Sequence, residues 1–256
     1  APATPAARPR PRPPPLTATP LPSPAAEPGW ALLAPGLETR PASIPLGGTS
    51  GAVPATLVRI DPARFAMRVH YDQASPAVIS TWLVRTGAAL VVNGGYFTPE
   101  NAPLGLLVVD GQPVGVSFDG FGGMLSTAGG AVSLRALSQQ PYLPGEPLEQ
   151  AVQGRPVLLY RGGGPADFDF TGESDRRTAV ALDGAGRLVF VIVDQGGVSL
   201  YDLRDWLATQ DVFDVTAALN LDGGGSTGLA VAAGGQALLA DSWSPVPVVL
   251  AFYPVE

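Results

Sequence analysis

The chain has no cysteine, no lysine and one histidine, His70, in 256 residues. Each absence removes a class of chemistry. A Walker-type phosphate loop needs lysine on the phosphates, and pyridoxal or Schiff-base enzymes need an amine. Thiol catalysis and cysteine-based zinc need sulfur. A Ser-His-Asp triad or a multi-histidine metal site would have to use His70, which sits in the alternating stretch Phe65-Ala66-Met67-Arg68-Val69-His70-Tyr71 without a partner motif. His70 reads more simply as a half-exposed strand residue. Apolar runs of about 18 residues are also missing, so no transmembrane helix is expected. A net charge of -7 and a pI near 4.7 leave no basic footprint for nucleic acid or an anionic membrane. All 15 basic residues are arginine, so arginine must supply any anion clamp.

What is present describes one folded domain behind a tail. The hydrophobic fraction of 46% is ample for a core. Residues 1–28 are dominated by Pro and Ala, with Arg8, Arg10 and Arg12 interspersed. That composition favours extended conformations and cannot bury a core, so it reads as a disordered tether, either a surface spacer or a leader without a partner. The domain is expected over residues 29–256. The chain begins with Ala, which fits removal of an export signal, and the lack of cysteine is compatible with export. The expected location is periplasmic or extracellular.

From Trp30 onward, strands and hairpins dominate. Asp110-Gly111, Asp183-Gly184 and Gly234-Gly235 each separate two apolar runs and predict hairpins, the second with a longer loop. One helix is predicted from Ser75-Pro76, with Val78, Ile79, Trp82 and Leu83 on one face and Gly87 as its stop. A second starts at Ser199, with Asp202 completing a capping pair and Leu200, Leu203, Trp206 and Leu207 gathered together. Each helix leads into an apolar strand, Ala89–Val92 and Ala217–Leu221. Each strand then ends in a short polar side chain followed by glycine, at Asn93-Gly94-Gly95 and Asp222-Gly223-Gly224, a weak internal echo.

Those strand ends carry the chemistry. Asp222-Gly223-Gly224-Gly225-Ser226-Thr227 places a carboxylate after a buried strand, then strips side chains from a backbone whose amides can cradle an anion. Ser226 and Thr227 add hydroxyls. A tight turn with positive φ is the plainer reading of triple glycine. Asn93-Gly94-Gly95-Tyr96-Phe97 offers an amide, two glycines that would let a ligand approach, and two aromatic faces suited to a sugar; a hairpin turn with core aromatics would look the same. Gly105, after Pro103, shapes the same mouth. Arg177, from Arg176-Arg177-Thr178 at a strand start, can turn its planar fork toward a phosphate. Arg155, in Gln153-Gly154-Arg155-Pro156, is a weaker anion contact. Glu173, Asp175 and Asp194 read as solvated acids, although one could pair with Asp222, since glycoside hydrolysis uses two carboxylates.

Together, Asn93-Gly94-Gly95-Tyr96-Phe97, Pro103, Gly105, Gln153-Gly154-Arg155-Pro156, Arg177-Thr178, Ser199-Leu200 and Ala218-Leu219-Asn220-Leu221-Asp222-Gly223-Gly224-Gly225-Ser226 resemble the phosphodiester glycosidase family over roughly residues 50–254. The resemblance implies an α+β fold: a single domain with a mixed, largely antiparallel sheet, several hairpins and about two main helices packed on it. It implies hydrolysis of a sugar 1-phosphodiester, a carbohydrate substrate of the envelope or the extracellular space. Asp222, Arg177 and Asn93 are the catalytic positions carried over. Gly94, Gly95, Tyr96, Phe97, Gly105, Gln153, Thr178, Gly223, Gly224, Gly225, Ser226 and Thr227 are the substrate-binding ones. No cofactor is required, although oxygen ligands near Asp222 would suit Ca²⁺ or Mg²⁺. Two departures bear on substrate identity. Ser244-Pro245-Val246 stands where relatives are expected to have Arg before Pro-Val, and Asp194–Ser199 is shorter than the family pattern. The rival readings are a non-catalytic envelope module that binds glycan or phosphate, and a phosphodiesterase that attacks phosphorus.

Overall fold

A computed structural model of the chain describes residues 27–118, 120–169 and 172–255. The expected tether therefore lies almost wholly outside the described residues. The strands fall into three sheets, and every strand pairing among the described residues is antiparallel. The first sheet has seven strands in the order β1 (Ala31–Ala34), β2 (Leu37–Pro45), β3 (Ala52–Ile60), β13 (Leu188–Val198), β12 (Asp175–Asp183), β14 (Val215–Asn220) and β11 (Val157–Leu159). The second runs β7 (Gln112–Gly115), β6 (Leu106–Val109), β10 (Gln150–Gly154), β8 (Gly123–Ala128) and β9 (Ala131–Ala136). The third runs β16 (Gln236–Ala240), β15 (Leu229–Ala233), β5 (Leu90–Asn93), β17 (Val248–Pro254) and β4 (Phe65–Tyr71). The result is the α+β, largely antiparallel domain the sequence implies, with the strands divided among three sheets.

The division follows from where apolar side chains can be buried. One core joins all three sheets through Val180, Phe190 and Leu219 of the first, Leu107, Leu125 and Val152 of the second, and Leu90, Leu250 and Phe252 of the third. A second cluster covers the outer face of the first sheet with α2 (Leu200–Thr209), and a third covers the outer face of the third sheet with α1 (Ile79–Thr86). Central strands are thus buried on both faces. That is why Leu188-Val189-Phe190-Val191-Ile192-Val193 is continuously apolar.

All three expected hairpins form. Asp110 and Gly111 have φ 47° and 80°, and Gly234 and Gly235 have φ 58° and 74°, both positive as a two-residue primed turn requires. The Ser199 Oγ accepts from Asp202 N at 3.0 Å and caps α2. The start of α1 differs from expectation. Ser75 N is drawn to Asp72 Oδ1, Ala77 bridges to Val246, and the helix begins at Ile79. Its N-terminal cap comes from far along the chain, since Ser80 N and Ser80 Oγ both donate to Asp241, at 3.0 and 2.6 Å. Gly87 closes α1 with φ 63°. His70, on β4, is half-buried and shares a 2.9 Å hydrogen bond with Tyr253 Oη.

Candidate active site

The two helix-strand units converge. β5 ends at Asn93 in the third sheet, β14 ends at Asn220 in the first, and the chain beyond each meets where those sheets adjoin. Asn93 is 0% exposed. Its Oδ1 accepts from Thr178 Oγ1 at 2.7 Å and Gly228 N at 3.1 Å, and its Nδ2 donates to Asp222 O at 2.7 Å. Asp222 N donates to Gly94 O at 3.2 Å. One amide therefore ties β5 and β12 to both ends of the loop Asp222–Gly228. Asn93 was expected to face a ligand; it faces the loop that carries the carboxylate.

Asp222 is half-buried, and its carboxylate accepts from Gly223 N at 2.9 Å. Burial pushes its pKa up to about 6, against the opposing pull of hydrogen bonds from Ser226 and Gly223. Residues Gly224–Ser226 then form one 3-10 turn. Ser226 N and Thr227 N are used within it, on Gly223 O and Gly224 O. Among the described residues, Gly224 N and Gly225 N donate to nothing in the protein. The expected amide cradle is thus two consecutive donors, with Gly224 at φ 58°.

Side chains are excluded around this loop by close packing. A Cβ on Gly223 would lie 2.9 Å from Arg176 O and 3.7 Å from Arg177 Nη1, and one on Gly225 would lie 2.8 Å from Ser244 Oγ. The same holds for the first glycine pair. A Cβ on Gly94 would meet Val248 Cγ1 at 2.5 Å, and one on Gly95 would meet Gln153 O at 2.5 Å. Gly94 and Gly95 were expected to let a ligand approach; instead protein approaches them. Gln153 is also engaged, with Oε1 accepting from Leu106 N and Phe118 N, both at 2.9 Å, and Nε2 donating to Ser117 Oγ at 2.7 Å. Gly105, at φ 101°, packs against Phe118 and Gln153. Phe97 packs on the cluster beneath α1, and Thr227 is 0% exposed.

The arginine pair divides by strand alternation. Arg176 is buried, giving Nη2 to Thr227 O at 2.9 Å and Asp241 O at 3.1 Å, and Nε to Asp194 O at 3.1 Å. Arg177 turns the other way, half-buried. Its Nε reaches Val198 O at 3.1 Å and its Nη2 reaches Glu173 O at 2.7 Å. Both partners are neutral carbonyls, and among the described residues Arg177 forms no ion pair, so its charge and Nη1 remain available beside Gly223. The short segment Asp194–Ser199 forms the bulge whose carbonyls hold both arginines. Asp175 is the expected loop acid that comes near, since a Cβ on Gly224 would lie 3.0 Å from its Oδ2.

Tyr96 closes the other side. Its Oη donates to Arg155 O at 2.8 Å and accepts from Asn220 Nδ2 at 2.7 Å, and burial with the nearby Asp222 charge pushes its pKa far up. The Arg155 guanidinium lies 5.6 Å over its ring. Asn220, flanked by leucines in a buried strand, was not singled out as a functional position; its signal was a polar residue where only apolar ones fit. Arg176, Asp241 and Trp243 were likewise missed. No cluster of three or more His, Asp or Glu side chains suited to a metal is found among the described residues. The neighbours of Asp222 are N–H and O–H donors, a poor match to a cation site.

The phosphodiester glycosidase family model matches residues 86–253, and the chain belongs to that family. It is 30% identical over 182 residues to mouse N-acetylglucosamine-1-phosphodiester alpha-N-acetylglucosaminidase, covering 60% of this chain and 34% of that protein. The chain thus spans about a third of that relative's length. Its fold is similar to the zebrafish enzyme's catalytic domain, solved auto-inhibited by its pro-peptide, with TM-score 0.69, 22% identity, and 86% of this chain and 84% of that one covered. A Burkholderia pseudomallei protein described as exported shares the fold with TM-score 0.59 and 16% identity, over 82% of this chain and 76% of that one.

Proposed function

We propose that the chain hydrolyses a sugar 1-phosphodiester at the glycosidic C–O bond, releasing the sugar and leaving a phosphomonoester on the other group. The observation that carries this reading is one short loop that brings a carboxyl of raised pKa and two uncommitted amides beside Arg177, which forms no ion pair among the described residues. The phosphodiester lies against Gly224 N, Gly225 N and Arg177 Nη1. These donors neutralise the charge that grows on the bridging oxygen as the C–O bond breaks. A phosphate leaves readily, so the site needs little proton donation to it. Asp222, ionised above pH 6, takes a proton from the water that attacks the anomeric carbon. That water's oxygen stays on the sugar.

Asn93 is a positioning residue in this scheme, holding Asp222 through its backbone. Asp175, beside Gly224, supplies a second carboxylate next to the loop. The activity named for the mouse relative supports an N-acetylglucosamine 1-phosphodiester as a first substrate. Export is part of the proposal, in keeping with the Burkholderia fold neighbour. No helix among the described residues is long and apolar enough to cross a membrane.

The test is product analysis on a panel of sugar 1-phosphodiesters, with Asp222→Asn as the control. Release of free sugar and a phosphomonoester by the wild type, lost in the variant, is expected. Ligand binding without turnover across the panel would favour the binding module and overturn the proposal.

A further inference from the structure

Beside the glycine loop stands an aromatic side chain that the fold does not bury. Trp243 is 74% exposed, whereas Trp30, Trp82 and Trp206 are 5%, 5% and 8% exposed. A large apolar side chain held in water costs free energy unless something covers it in use. Trp243 is nonetheless fixed. Its N donates to Gly225 O at 2.8 Å, Ser244 N donates to the same oxygen at 3.0 Å, and Asp241 anchors the segment on Ser80. The Arg176 guanidinium lies 4.1 Å from the ring centroid and covers one face. That arginine is buried, and its Nη1 has no partner among the described residues. A desolvated cation holds the indole in place and leaves the rest of the ring to solvent. The ring therefore stands as a rigid platform next to the proposed phosphate amides, with Gly225 shared between them.

From this we infer that Trp243 is a substrate-binding residue on which a saccharide ring of the phosphodiester stacks through its C–H face. The inference rests on the reading of the loop as a phosphodiester site. An aromatic plane beside an anion cradle matches a ligand with an apolar ring face joined to a phosphate, and a sugar phosphodiester has that form. Either the sugar at the scissile bond or a sugar on the far side of the phosphate presents such a face, and the two are separable by substrate choice.

Two measurements decide it. In the Asp222→Asn chain, which leaves the ligand intact, acrylamide quenching of fluorescence reports mainly Trp243, since the other tryptophans are buried. Saturation with the hexosyl diester of N-acetylglucosamine 1-phosphate should reduce the quenching constant severalfold; no change overturns the inference. In the wild-type background, Trp243→Ala should raise KM about tenfold with a small effect on kcat, and Trp243→Phe should restore most of the loss. A rise with a methyl diester as well as a hexosyl diester places the scissile sugar on the ring, and a rise with the hexosyl diester alone places the distal one. Unchanged KM on both overturns the inference. Should wild type turn over no diester while Trp243 is still protected by ligand, the platform stands and the hydrolase reading fails.

Discussion

Asp222 carries opposed demands at the scale of single residues. Its folded pKa of about 6 lies above the ordinary carboxylate value of 3.8, so the folded state prefers it protonated. The linked stability is fully present below the unfolded pKa and is lost as pH rises through the folded one. Asp222→Asn should therefore stabilise the protein by up to about 3 kcal/mol at pH 7.5 while abolishing turnover. The stabilisation should vanish below pH 4, as denaturant melts at the two pH values will show. For the wild type, kcat/KM should rise with pH to a plateau, with its midpoint near 6, because the ionised carboxylate is the base; a profile falling through that pH would make Asp222 an acid instead. Asn93 is tested by stability and rate together. Asn93→Ala leaves Thr178 Oγ1, Gly228 N and Asp222 O without their partner, so it should cost about 2–4 kcal/mol and lower kcat far more than it changes KM. A stable variant with lowered affinity and normal kcat would argue for direct ligand contact.

Elements meet at this site through contacts that are distant in sequence. A Cβ at Gly95 would lie 2.5 Å from Gln153 O, so Gly95→Ala must push β5 and β10 apart and should cost about 2 kcal/mol in a denaturant titration. Asp241→Ala removes the acceptor at the start of α1 and should cost about 1 kcal/mol while loosening the Trp243 segment. These pairs explain what could be read in advance. The cap of α2 was legible because Ser199 and Asp202 lie within one turn. The cap of α1 was not, because Asp241 is 161 residues from Ser80, and the local Ser75-Pro76 signal stood three residues too early. Polar-then-glycine strand ends drew attention to the loop now proposed as the site, but nothing local could tell that Gly94 and Gly95 serve packing. Arg176 and Arg177 are adjacent in sequence, and only the strand's alternation, set by its neighbours, decides which one faces the loop.

As a whole, the molecule places the proposed site where two sheets adjoin, each covered on its outer face by one helix. A shared core fixes the distance between the strand ends that supply Asn93 and Asp222. The chain has no lysine and no cysteine, and its one histidine is hydrogen-bonded to Tyr253. The proposed reaction is defined by which bond water attacks. Hydrolysis of a sugar 1-phosphodiester in H₂¹⁸O, with both products analysed by mass, measures that directly. Attack at the anomeric carbon puts ¹⁸O on the released sugar and none in the phosphomonoester; ¹⁸O in the phosphate would contradict it.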